Sequence, residues 1–331
     1  MKLASITLFV AALLLGSPVA AQTLRAHTTD AGSAPNTVTK LVSRYAGTEG
    51  IDIQVSEGQV MTRSMFTVAN GGAEIISAII GQYARLATGT GPFADMSTEA
   101  QAAATRLRSV FSFPVGATHI LTWDGNGIES LDDIAGHRVY TGPGGGGASV
   151  DNEELIEILT GLHAGTDYEA VRMPWGEGMQ AMRDGQVDVM FRIAPVGAAI
   201  IQEFGLSRPI RLLGFDEEDV GTAAFEAYMS VPGRTFIELP PGTYEGQVNQ
   251  TSLELAGFSA AIAVNADVDE DTVYRLTRSF WSNLAEIQAA ATFMRAVTLE
   301  HPFTALNMPL HPGAIRYYEE VGVAIPDALR P

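Results

Sequence analysis

Short apolar, β-rich runs alternate with helical runs through more than half of this chain, and a long apolar run returns late. Strand-like runs fall at 24–28, 51–56, 74–80, 110–113, 117–123, 137–141 and 187–191. Helical runs fall at 37–45, 62–69, 150–159 and 177–183, with a short helical turn at 131–134. The 150–159 helix reads with acids in its first turn, which suits the helix dipole. Alternation of this kind builds parallel α/β layers. The Pro- and Gly-rich stretch 225–246 reads as irregular or crossing chain, 253–265 as a further strand, and 271–284, 285–297 and 312–321 as helices. Two α/β blocks with a late return predict two lobes and a hinge. The first lobe takes 22–122 and 253–331, and the second takes 123–252.

The first segment is an address. Lys2 precedes an apolar run at 6–15, which breaks at Gly16-Ser17-Pro18. Val19 and Ala21 put small residues where a signal peptidase needs them, so cleavage is expected between Ala21 and Gln22. The run covers about 15 Å as a helix, half of a bilayer core, and reads as a secretory leader rather than an anchor. The expected location is the periplasm. The chain has no cysteine, which excludes disulfides, thiolate nucleophiles and cysteine-ligated zinc. With 20 Lys plus Arg against 38 Asp plus Glu, its formal charge is −18. Nucleic acid and anionic membrane surfaces are therefore poor partners. Lysine occurs only at positions 2 and 40, so Schiff-base chemistry is not expected.

Ligands of open α/β sheets lie beyond the carboxyl ends of strands. One such end runs into Gly142-Pro143-Gly144-Gly145-Gly146-Gly147-Ala148-Ser149 ahead of a helix. Glycines there let backbone N–H groups approach an anion closely. The run fits GxGxxG, but a dinucleotide fold places that motif after the first strand. A P-loop would need Gly-Lys-Ser/Thr. The loop, centred on Gly145, Gly146, Gly147 and Ala148, is either a carboxylate-binding loop or a flexible surface turn. Arg192 directly follows an apolar strand, where it either grips a ligand carboxylate through two hydrogen bonds or bridges to an acid. Trp175 sits on another rim loop, packing over a ligand or into the core. Ser33, Gln59 and Thr62 follow the first two strands and complete the candidate ligand contacts.

No catalytic or metal site is expected, and no cofactor. The six histidines, His27, His119, His137, His163, His301 and His311, have no ligand spacing, and no HExxH or GxSxG occurs. An exported enzyme using His27, Asp30 or Glu57 as acid or base is the competing reading.

Five stretches in order carry a resemblance: Gly89-Thr90-Gly91-Pro92-Phe93; Leu131 to Val139 with the glycine loop behind it; Asp184-Gly185-Gln186-Val187-Asp188; Pro241-Gly242-Thr243-Tyr244-Glu245-Gly246-Gln247; and His311-Pro312-Gly313-Ala314-Ile315-Arg316-Tyr317-Tyr318. Together they resemble the TAXI family, the solute-binding receptors of TRAP (tripartite ATP-independent periplasmic) transporters. The resemblance implies a two-lobed, type II-like periplasmic binding fold with an interlobe cleft. It further implies a protein that hands a small organic anion, of the glutamate or 2-oxoglutarate class, to a membrane permease; a monomer is expected. A receptor for another transporter class or a sensor kinase is the alternative. The chain departs from the family pattern in its shorter first loop, in Ile79-Ile80-Gly81 after the third strand, and at Gly146 and Ala148.

Overall fold

A computed structural model describes residues 22–215 and 220–331. The leader expected at 1–21 lies outside the described residues. The described residues form a ten-stranded mixed sheet with helices on both faces.

The first half of the sheet comes from β1 (Gln22–His27), β2 (Ile51–Ser56) and β3 (Ile75–Ile79), with β1 parallel to both neighbours. Helix α1 (Ala34–Ala46) follows β1, α2 (Met61–Ala69) follows β2, α3 (Ile80–Thr88) follows β3, and α4 (Ser97–Ala104) closes the block. The second half holds β5 (Arg138–Gly142), β6 (Glu169–Arg172) and β7 (Val189–Ala194), with β5 parallel to both neighbours. Helices α5 (Gly147–Thr160), α6 (Trp175–Arg183) and α7 (Ala199–Ser207) follow these strands.

Two long strands join the halves. In β4 (Leu107–Trp123), residues 107–117 run antiparallel to β10 (Leu253–Asn265), and 117–122 run antiparallel to β7. The far end of β4 also pairs with β8 (Ile210–Leu213). In β10, residues 260–264 pair with β3, and 253–258 pair with β9 (Arg234–Leu239). Each long strand thus belongs to one half at one end and to the other half at the other end. The result is a two-lobed mixed α/β fold.

The two strands expected at 110–113 and 117–123 are one. Pro114 and Gly116 read as a break, because proline cannot donate to a ladder and Gly116 has φ of +121°. The chain absorbs both in a β-bulge: Pro114 faces Ser259 and Gly116 faces Phe258, leaving Val115 unopposed. The stretch 225–246 is not irregular throughout, since it holds α8 (Ala223–Met229) and β9, separated by Pro232-Gly233. Helix α5 starts earlier than expected, so no acid lies in its first turn. The chain ends in α9 (Glu270–Ser282), α10 (Leu284–Ala290) and α11 (Pro312–Glu320).

Packing fixes the helices to the sheet. On one face of the first half, Phe111 stacks on Phe280 with centroids 3.9 Å apart. On the other, Met65, Val68, Leu86 and Leu107 are buried together. In the second half Leu155 and Ile156 cover one face, while Met182 and Phe204 cover the other. Each such side chain contributes about 1.5–3 kcal/mol when fully buried.

Candidate functional site

The carboxyl ends of β1, β2, β3, β5, β6 and β7 converge on a cavity of about 80 Å³ between the lobes. That volume exceeds the roughly 10–15 Å³ a single water needs. From the first lobe, the cavity is lined by the β1–α1 loop with Asp30 and Ser33, the start of α2 with Gln59 and Thr62, and the start of α3 with Ile79 and Gln82. From the second, it is lined by Gly146, Gly147 and Ala148, by Trp175, and by Arg192 and Ile193. The unopposed Val115 of β4 lines it where the lobes join.

Eight of the nine sequence candidates therefore share one cavity wall: Ser33, Gln59, Thr62, Gly146, Gly147, Ala148, Trp175 and Arg192. Gly145 stands just outside the lining. Its carbonyl accepts a hydrogen bond from the Thr62 hydroxyl at 2.9 Å, tying the glycine loop to α2 across the lobes. Ser33 is already occupied as the cap of α1: its hydroxyl accepts from the Asn36 N–H and donates to the Asp30 carbonyl.

Helix ends add to the electrostatics of the charged Asp30 and Arg192. The N-termini of α2, α3, α5 and α6 carry no side-chain cap. The first N–H groups of a helix have no partner within it, and the dipole makes that end partially positive. Four such ends around one cavity favour an anion. The glycines serve close approach: a Cβ on Gly147 would stand 2.2 Å from the Gln82 amide carbon, and one on Gly146 would stand 2.9 Å from the Pro143 carbonyl oxygen.

Arg192 lies within β7, not beyond its end, because the strand continues through Ile193 and Ala194. It is 2% exposed and pairs with Asp30, Nη2 to Oδ2 at 2.7 Å and Nη1 to Oδ1 at 3.4 Å. Its Nε–H is buried without a partner. The guanidinium also lies over the Trp175 ring, 4.5 Å from the centroid, and Trp175 in turn meets Tyr140 edge-on. The structure shows the bridge to an acid, and that bridge lies in the cavity wall.

Sequence reasoning missed Gln82. It follows β3 by three residues, but the sequence reading runs the strand on through Ile80, the first residue of α3, and places no helix after it. The Gln82 amide nitrogen donates to Asp151 Oδ2 at 2.7 Å. A carboxylate can only accept, which fixes the amide orientation. Asp151 also pairs with Arg234 at 2.9 Å and Arg85 at 3.1 Å, and Arg85 reaches Glu154. Burial pushes the Asp151 carboxyl up, against the pull of Arg234 and Arg85.

Beside Arg192, His119 is its cross-strand partner in the β4–β7 pair. Burial pushes His119 down to about 4, and the Arg192 charge acts in the same direction. The residues of the competing enzyme reading have separate partners. His27 meets the Ser64 hydroxyl at 3.0 Å, Asp30 holds Arg192, and Glu57 pairs with Lys40 at 2.7 Å. Among the described residues, no group of three or more His, Asp or Glu is placed to hold a metal.

A family model described as the NMT1-like family matches residues 36–322. This chain belongs to the NMT1-like family. The matched region spans both lobes and every strand that reaches the cavity except β1. Among solved structures, this NMT1-like chain is similar to the aliphatic sulphonate binding protein of Escherichia coli, at 15% identity and a TM-score of 0.40, over 90% of this chain and 78% of that one. It is also similar to a TRAP solute binding protein of Sulfitobacter sp. NAS-14.1 with bound β-D-galacturonate, at 10% identity and a TM-score of 0.48, over 92% and 88%. A third is the ectoine-binding protein of the Halomonas elongata TRAP transporter, at 13% identity and a TM-score of 0.45, over 90% of each chain. Among the described residues of the NMT1-like chain, no helix is long and apolar enough to cross a membrane.

Proposed function

We propose that this chain is a TAXI-type solute receptor that captures a small organic acid between its lobes and delivers it to a TRAP membrane permease. In this reading it works in the periplasm as a monomer, without cofactor or chemistry of its own. The observation that carries the reading is the cavity at the converging strand ends, walled from both lobes. It combines four uncapped helix N-termini with a buried arginine whose Nε–H has no partner. Those donors suit a carboxylate, since hydrogen bonds to charged groups are the strong ones. Ser33, Gln59, Thr62, Gly146, Gly147, Ala148, Trp175 and Arg192 form the binding wall, and Gly145 supports it through Thr62.

In this reading the lobes divide near 22–122, 123–252 and 253–331 and hinge along the crossing strands β4 and β10. Closure about two such strands traps the solute and makes one surface for the permease. Calorimetric titration with a panel of small organic acids, paired with solution scattering, tests the reading. Saturable binding with a fall in the radius of gyration is expected. No binding across the panel and an unchanged radius would overturn it.

A further inference from the structure

The cavity wall offers acceptors as well as donors. Asp30 and Arg192, 162 residues apart, bring one negative and one positive charge to it. Gln82 lines the same cavity, and its Oε1 is buried with no partner. Because its amide nitrogen is committed to Asp151, that oxygen can be satisfied only by a donor from elsewhere. Unpaired buried polar groups are costly, so a ligand that supplies both partners is favoured over one that supplies a single kind. The wall therefore asks for an acceptor at Arg192 Nε and the helix ends, and for a donor at Gln82 Oε1 and Asp30.

We infer that the solute is a small zwitterion, a monocarboxylate carrying an ammonium group, in the manner of an α-amino acid with an uncharged side chain. The inference rests on the receptor reading above and narrows it. A zwitterion adds no net charge to the Asp30–Arg192 pair. A dicarboxylate would set two anions in a closed space that already holds the Asp30 carboxylate, and buried charge without a counter-charge is strongly disfavoured. The rest of the wall suits a small uncharged side chain, with Val60, Met61, Ile79, Val115 and Ile193 all lining it.

The test is calorimetric titration of the full chain with four probes: L-valine, isovalerate (lacking the ammonium), isobutylamine (lacking the carboxylate) and glutarate. Valine is expected to bind at least about 10-fold more tightly than either half-molecule or glutarate, the effect of one hydrogen bond to a charged group. In Asp30→Asn, checked for folding by its melting curve, the margin of valine over isovalerate is expected to shrink. Isovalerate or glutarate binding as tightly as valine to the wild type would overturn the inference and leave the receptor reading standing. If no probe bound and the radius of gyration stayed constant, both would fall.

Discussion

The Tyr244 hydroxyl donates to His119 Nε2 at 2.7 Å, and His119 is the cross-strand partner of Arg192. The other ring nitrogen, Nδ1, donates to the Ala117 carbonyl at 3.0 Å, so the network holds a neutral imidazole. The tyrosine oxygen in turn accepts from the Gly197 N–H. Burial raises Tyr244 to about 12, so it remains a donor at every relevant pH.

A stability prediction follows from His119. Its folded value of about 4 lies below the ordinary 6.5, so the unfolded chain takes up this proton first as pH falls. Its contribution is fully present above pH 6.5 and is lost as pH falls from 6.5 towards 4. One proton of difference corresponds to about 1.4 kcal/mol per pH unit in that window. Urea unfolding of wild type and His119→Gln between pH 7 and 5 checks it. The wild type should lose stability more steeply, and parallel slopes would contradict the assignment.

Arg192→Ala should weaken solute binding by about 10- to 150-fold, from the roughly 1.5–3 kcal/mol of a hydrogen bond to a charged group. It should also lower the melting temperature, because Asp30 loses its partner. Arg192→Lys should recover part of the stability and little of the affinity, since a lysine has no planar fork. Calorimetry beside a melting curve separates the two effects. Unchanged affinity in a folded Arg192→Ala protein would remove the residue from the site.

Gly147→Ala tests the contact between the lobes. Its Cβ would displace the Gln82 amide and break the hydrogen bond to Asp151. The loss should shift the protein towards a more open form and reduce affinity by about 10-fold or more. Solution scattering should show a larger radius than wild type. An unchanged radius and affinity would mean that the glycine loop does not close against α3.

Gly116→Ala tests the crossing strand. A Cβ there would stand 2.1 Å from the Ala194 carbonyl oxygen, at φ of +121°. Overpacking against backbone should cost about 1–3 kcal/mol or more. Gly125 is a control, with φ of +81° and open space around its Cβ position. Gly125→Ala should lose only the left-handed penalty of about 1–2 kcal/mol. Equal urea midpoints for the two variants would contradict the tight crossing.

Much of the fold was legible where local signals agreed. The strands at 51–56 and 253–265 are read to the residue, because each is bounded by turn residues, Gly50 and the Asn265-Ala266-Asp267 turn among them. The helix α3 was not legible. Ile75 to Ile80 is one apolar run, and periodicity alone cannot tell where a buried strand becomes a buried helix. Pro114 and Pro232 misled in opposite ways, one lying inside a bulged strand and the other between a helix and a strand.

The candidate site was legible on the same terms. Gly146, Trp175 and Arg192 stand near strand ends, which the alternation locates. The pairing of Arg192 with Asp30 was not, because it joins residues from different lobes and any of 38 acids could have met that arginine. Gln82 stayed hidden with its helix.

The central claim is that the interlobe cavity binds a small organic acid through Arg192 and the glycine loop. Native mass spectrometry of freshly purified protein tests it most directly, with the released solute identified after dissociation. The account predicts that the wild type carries a small organic acid, or gains one from the tested panel, and that Arg192→Ala and Gly147→Ala do not retain it. A wild-type mass equal to the bare chain under every addition, or a solute held equally by both variants, would contradict it.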